Sequence, residues 1–141
     1  MPVASVSLES VRHDLKSLDG AYVELVPMSF GKLQRRREIA TNQAVKETEN
    51  SEGKLEPEMV IAMAQHAAAV YEFKHCIVDH NLEELKPKKN PSDPDEELKI
   101  VPFDFKKDAG AIDRLDPKIG EEISILIDGM NQFETSELDG S

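Results

Sequence analysis

A run of 28 residues after Pro57, extending to Leu85, contains neither glycine nor a further proline and is dense in good helix formers. Proline is favoured at the first helical position, so Pro57 predicts where this helix begins. If residues 57–82 are all helical, the helix is about 39 Å long. Its apolar residues recur at steps of three and four, which predicts a central core helix. The predicted core face consists of Met59, Met63, Val70, Phe73 and Ile77, widened by Ala64, Ala67, Ala68 and Tyr71.

The chain around this helix has 141 residues, which suits one domain spanning residues 1–141. It has no tryptophan and few aromatic residues, so its core must be built mainly from aliphatic side chains, a composition that favours helix packing. We therefore expect a mainly α fold. It would be a single small helical domain with a short N-terminal β element, a long central helix and a C-terminal helix.

The N-terminal β element rests on alternating residues from Ala21, which predict a strand closed by Pro27. The preceding segment, residues 5–18, is open to two interpretations. Ser7 as an N-cap and Gly20 as a stop favour a short helix. A strand starting at Ser5 would instead pair with the strand from Ala21 in a small hairpin. A lone strand needs such a partner, which supports the hairpin.

Ser29 is a candidate N-cap for an amphipathic helix with a sparse apolar face of Phe30, Leu33, Ala40 and Ala44. This helix should give way to a polar loop from Thr48.

Four prolines between residues 86 and 107 predict a flexible loop there. Asp116 and Pro117 then favour the start of a C-terminal helix, in which Glu121 and Glu122 would be solvated charges near the positive helix end. Residues 134–141 read as a frayed tail. The apolar stripe of the C-terminal helix is Ile119, Ile123, Leu126, Met130 and Phe133.

A cluster of His75, Cys76, Asp79 and His80 raises the question of a metal or catalytic site. Cys76 with His80, and His75 with Asp79, have the i, i+4 spacing of helical metal ligands, but on a helix the two pairs lie on faces about 100° apart and do not converge. Cys76 lies beside Ile77 on a helix built for burial, which does not suit an activated thiolate. We therefore expect no catalytic residue, no metal and no cofactor, and treat a small metal-dependent enzyme as the least favoured class.

The formal net charge is −11, from 28 acidic and 17 basic side chains, with most of the excess acid in the C-terminal third. Such a balance repels nucleic acid. Arg35, Arg36 and Arg37 form the one dense basic run and are the candidate partner-binding residues, although a solvated face that balances the acidic region is the simpler interpretation. The single cysteine and the lack of a long apolar span favour a cytosolic protein without membrane contact.

Three segments together resemble the tail assembly chaperones of long-tailed, non-contractile bacteriophages: VRHDLKSLDGAYVELVPMSFGKLQRR from Val11, YEFKHCIVDHNL from Tyr71, and RLDPKIGEEISILIDGMNQF from Arg114. They occur in the order and with the spacing of that family and cover most of the chain. The loop from Lys86 to Lys107 matches least.

The resemblance implies a non-enzymatic factor made in the cytoplasm of the infected host cell. It would bind the tape measure protein, help recruit tail tube protein and be absent from the mature virion. In many members of that family a ribosomal frameshift adds a second domain. Association of the chain with itself is a further expected possibility. The alternative is a structural virion component, such as a head-tail connector or minor tail protein.

Overall fold

The computed structural model describes residues 2–52, 54–86 and 90–131. Five strands and three α-helices lie in these ranges, with a short 3-10 helix at Ala111–Arg114. In chain order the regular elements are β1 (Val11–Asp14), β2 (Tyr22–Leu25), α1 (Phe30–Asn50), α2 (Pro57–Cys76), β3 (Ile77–His80), β4 (Glu83–Lys86), β5 (Lys99–Pro102) and α3 (Pro117–Asn131).

The fold is mixed α/β, so the prediction of a mainly α fold is wrong. The strands form two antiparallel sheets, one of three strands in the order β1-β2-β3 and one of two strands, β4-β5. Val23 and Leu25 of the middle strand are fully buried. A strand buried in this way needs neighbours on both edges to pair its backbone groups, and a single hairpin supplies only one.

The N-terminal hairpin is confirmed. Strand β1 pairs with β2 from Val11 opposite Leu25 to Asp14 opposite Tyr22. Gly20 has a φ of +80° in the connection, a conformation that glycine adopts without a steric penalty. The helical interpretation of residues 7–18 is therefore wrong, and the strand begins at Val11 rather than Ser5.

Helix α2 begins at Pro57 as predicted, but it ends at Cys76 instead of continuing to residue 82. Ile77 has extended backbone angles, and strand β3 pairs with β2, with Ile77 opposite Leu25 and His80 opposite Val23. No glycine or proline marks this change. The second edge of β2 requires a strand here, so tertiary pairing overrides the local helix propensity.

The segment 86–107, predicted as a flexible loop, contains strand β5 and two core residues. Residues 87–89 lie outside the described residues. Phe103 and Phe105 are buried, with parallel rings whose centroids lie 5.4 Å apart, and Phe105 meets Phe73 edge-on at 5.7 Å. Although the sequence is rich in proline, this segment supplies two of the aromatic rings of the core.

The core lies where the three-stranded sheet, the end of α2 and α3 meet, rather than along the whole of α2. Met59 and Met63, predicted for the core face, are exposed, Met59 by 50%. The buried residues near this half of α2 are Ala64 and Ala68, whose small side chains suit close packing against α1. Among the described residues, the largest fully buried side chains are Phe73, Leu25, Ile123, Ile127, Val23 and Cys76.

The predicted helix starts are confirmed for α1 and α3. The Ser29 hydroxyl accepts the Lys32 N–H at 3.3 Å, although α1 runs on to Asn50, past the loop expected from Thr48. The Asp116 carboxylate accepts the Lys118 N–H at 2.9 Å. On α3, Ile123 and Ile127 are buried, whereas Phe133 and the predicted tail at 134–141 lie outside the described residues.

Glu122 is not simply a solvated helix-start charge. Its carboxylate accepts the backbone N–H groups of Lys16 and Ser17, both at 2.8 Å, and the Ser17 hydroxyl at 2.6 Å. The bond from the Lys16 N–H contributes most to lowering the Glu122 pKa from its ordinary value. This carboxylate therefore fastens the β1–β2 connection to α3.

In the described part of the chain, none of the helices combines the length and apolar character that crossing a membrane requires.

Helix α1 has no buried residue and packs chiefly against α2. One ion pair joins the two helices near the core, between Arg36 Nε and Glu72 Oε1. Glu72 is only 5% exposed, and its burial raises its pKa while the neighbouring Arg36 opposes that shift. A carboxylate that has lost its water needs this cation to remain ionised.

Replacing Arg36 by Met should therefore destabilise the fold by roughly 3 kcal/mol at neutral pH, because Glu72 would be left buried without a counter-ion. A carboxyl group whose pKa is higher in the folded state stabilises the folded form at pH values below its unfolded-state pKa. That stabilisation is lost as the pH rises through its folded-state pKa. The deficit of R36M should therefore shrink as pH falls from 7 towards the ordinary glutamate value of 4.5. Urea denaturation across this pH range measures it.

Two controls separate this pair from ordinary surface charge. Arg35→Met breaks an exposed pair with Glu38 and should cost no more than about 0.5 kcal/mol. Adding Glu72→Leu to R36M removes the buried charge and should recover much of the loss. Equal, small effects of R36M and R35M would show that the pair does not hold the helices together.

Candidate partner-binding surface

The three consecutive arginines do not form one surface, because neighbouring residues on a helix point about 100° apart. Arg36 is directed to Glu72 on α2, as described above. Arg35 Nη1 lies 3.0 Å from Glu38 Oε2, in a pair that is largely exposed on both sides. Arg37 is exposed and makes no ion pair within the described ranges. Of the predicted partner-binding residues, Arg36 is thus engaged in the fold, and Arg35 and Arg37 are accessible to a partner.

Cys76 is buried at the C-terminal end of α2. Its pKa is raised to about 11, chiefly by burial and in addition by the nearby Glu72 carboxylate. A thiol in this state is protonated at neutral pH and shielded from solvent, which is the opposite of the setting that activates a nucleophile.

The other members of the cluster each make a separate contact. His80 Nδ1 accepts the Leu82 N–H at 3.0 Å, and its ring meets Phe105 edge-on. His75 stacks at a tilt against Tyr71, and Asp79 accepts the Tyr22 hydroxyl at 3.0 Å. Burial lowers the pKa of both histidines. The change from helix to strand after Cys76 separates the four residues, so they line no common site.

Across residues 2–52, 54–86 and 90–131, no group of three or more histidine, cysteine, aspartate or glutamate side chains is arranged to hold a metal ion.

A largely apolar groove of about 490 Å³ lies between the 3-10 helix and the first half of α3. Phe73 reaches its floor from α2, and Leu115 enters from the turn before α3. Ile125 is 69% exposed at its side. The groove is lined by Phe73, Ile112, Leu115, Asp116, Pro117, Gly120, Glu121, Ser124 and Ile125.

Gly120 lines this groove. A Cβ at this position would lie 3.6 Å from Leu115 Cδ2, which is ordinary van der Waals contact, and any larger side chain would occupy the space of the groove. Asp116 and Glu121 are exposed and give the groove an acidic rim. An apolar channel with charged edges suits an amphipathic helix laid into it.

The sequence gives a partial signal for this groove. The run Ile123, Ser124, Ile125, Leu126, Ile127 has more apolar residues than one helix face can bury against a core. Ile123 and Ile127 take the core side, which leaves Ile125 outward. Ile112 and Leu115 line the groove next to Ile125 because the 3-10 helix and its C-cap lie there. No sequence pattern predicts this position.

Comparison of the chain with protein-family models, curated proteins and solved structures finds no match.

Because Cys76 is buried and protonated, it should resist a thiol reagent such as dithionitrobenzoate at pH 8 in the native protein and react fully in 8 M urea. The native rate should increase with urea concentration as the fold opens. Stoichiometric labelling within seconds, under conditions where circular dichroism shows an intact fold, would place the thiol at the surface and reopen the question of a reactive cysteine.

Proposed function

We propose that this chain is a non-catalytic tail assembly chaperone that binds the tape measure protein and keeps it soluble. In this proposal it acts in the cytoplasm of the infected cell, helps recruit tail tube protein and leaves before the virion is mature. The observation that carries the proposal is the apolar groove along α3, open to solvent and flanked by the exposed Ile125. The similarity of three segments to tail assembly chaperones suggests which partner the groove would take.

A helix-binding groove suits this partner class. As the resemblance implies, tape measure proteins are long helical chains with apolar stripes, which aggregate when left uncovered. Burying one isoleucine or leucine side chain of such a stripe contributes about 1.5–3 kcal/mol. A groove that accepts two or three of them would hold the partner with moderate affinity, which a factor that must later leave requires.

The electrostatics support the same role. A net charge of −11 keeps a complex with an apolar partner in solution through mutual repulsion between complexes. The histidine and cysteine cluster also supports a non-catalytic role. Cys76 is buried, and His80 accepts the Leu82 N–H while its ring packs edge-on against Phe105.

Co-expression with the tape measure protein of the same genome tests this proposal. The wild-type chain should raise the soluble yield of that partner. Ile125→Asp should abolish most of the gain, because it places a charge in the groove and weakens binding by roughly tenfold or more. Its effect on folding should be small, since Ile125 is exposed.

Ile61→Asp is the matched control, since Ile61 is also an exposed helical isoleucine, 56% exposed, but lies on α2 away from the groove. It should behave like the wild type. If the partner stays insoluble with the wild-type chain, alone or with any frameshift extension, the chaperone proposal fails, and detection of the chain at stoichiometric levels in purified particles would then favour a structural virion role. If I125D and I61D act alike, the groove is not the binding site.

A further inference from the structure

The first two turns of α1 carry an exposed aromatic ring and an exposed cation on one face. Phe30, the first residue of α1, is 73% exposed. Arg37 follows seven residues later, which returns it to the same face two turns along, about 10 Å away. Arg37 forms no ion pair among the described residues, so its charge is available.

This face complements the groove in polarity and in charge. The groove is apolar in its interior and has Asp116 and Glu121 at its rim. A phenyl ring would occupy part of the apolar interior, and an arginine on the same helix face would lie near the rim carboxylates. The two surfaces belong to the same chain, and their charges are opposite.

The two surfaces cannot meet within one molecule. The Met28 N–H donates to Asn131 Oδ1 at 2.9 Å, so the segment leading into α1 is fixed at the C-terminal end of α3. The groove lies at the other end of that helix, and Gly120 is about 16 Å along the axis from Asn131. The complementary surface of a second copy is therefore the one within reach.

We propose that two copies of this chain associate through these surfaces, with Phe30 of one copy inserted in the groove of the other and Arg37 beside Glu121 and Asp116. The overall negative charge opposes association at long range, so the contact depends on this local match. Self-association would cover this apolar groove in the free protein, and a partner helix would have to displace Phe30 to bind. The proposal stands independently of the partner's identity.

Mixing two variants tests it directly. Phe30→Asp removes the inserted side chain but leaves the groove unchanged. I125D places a charge in the groove but leaves Phe30 unchanged. Sedimentation of the wild type should show concentration-dependent association. For each variant alone, the dissociation constant of the dimer should be roughly tenfold or more above that of the wild type. An equimolar mixture of the two should associate again, because one intact pair of surfaces remains.

A charge exchange provides an independent check. Arg37→Glu should weaken association, and adding Glu121→Arg to the same chain should restore it. I61D should associate like the wild type, and circular dichroism should show every variant folded. A wild type that is monomeric up to about 100 μM would overturn the proposal, as would a mixture of F30D and I125D that associates no better than either variant alone. Neither result would bear on whether co-expression keeps the tape measure protein soluble.

Discussion

Burial of the Glu72 carboxylate is the constraint on which the arrangement of the helices depends. A charge that is 5% exposed must find a cation, and Arg36 is the residue that α1 offers. Since α1 has no fully buried side chain, this pair acts together with the partly buried Leu33 and the small residues of the α1–α2 seam to fix the helix against the body. The same requirement engages Arg36 in the fold, so replacing all three arginines together would change folding and binding at once.

Much of the local structure could be predicted from the sequence because its signals are local. Ser29, Pro57 and Asp116 mark three helix starts, and the alternation from Ala21 marks a strand that needs a partner. The end of α2 could not be predicted, because Ile77 to His80 carry no helix breaker and become a strand only through pairing with β2. The burial of Phe103 and Phe105 was missed for a similar reason, since neighbouring prolines suggested a loop while long-range packing decided the outcome.

The candidate site was less accessible to sequence reasoning than the fold. The arginine run was visible as a charge pattern, but helix geometry divides it among three directions. The prediction that His75, Cys76, Asp79 and His80 all lie on one helix is wrong, because the chain changes from helix to strand after Cys76. The groove combines Phe73, Leu115 and Ile125 from three parts of the chain, and only the excess of isoleucine on α3 indicated it.

In the proposed complex, a partner helix binds along α3 while the α1–α2 pair stays closed. Hydrogen–deuterium exchange of the chain with and without the tape measure protein tests this claim at peptide resolution. With the free chain kept at a concentration where it is monomeric, we expect slower exchange in the complex for residues 111–131, and equal protection of the segment around Arg36 and Glu72 in both states. Protection confined to the helix bearing Arg35 and Arg37, with residues 111–131 unchanged, would contradict it.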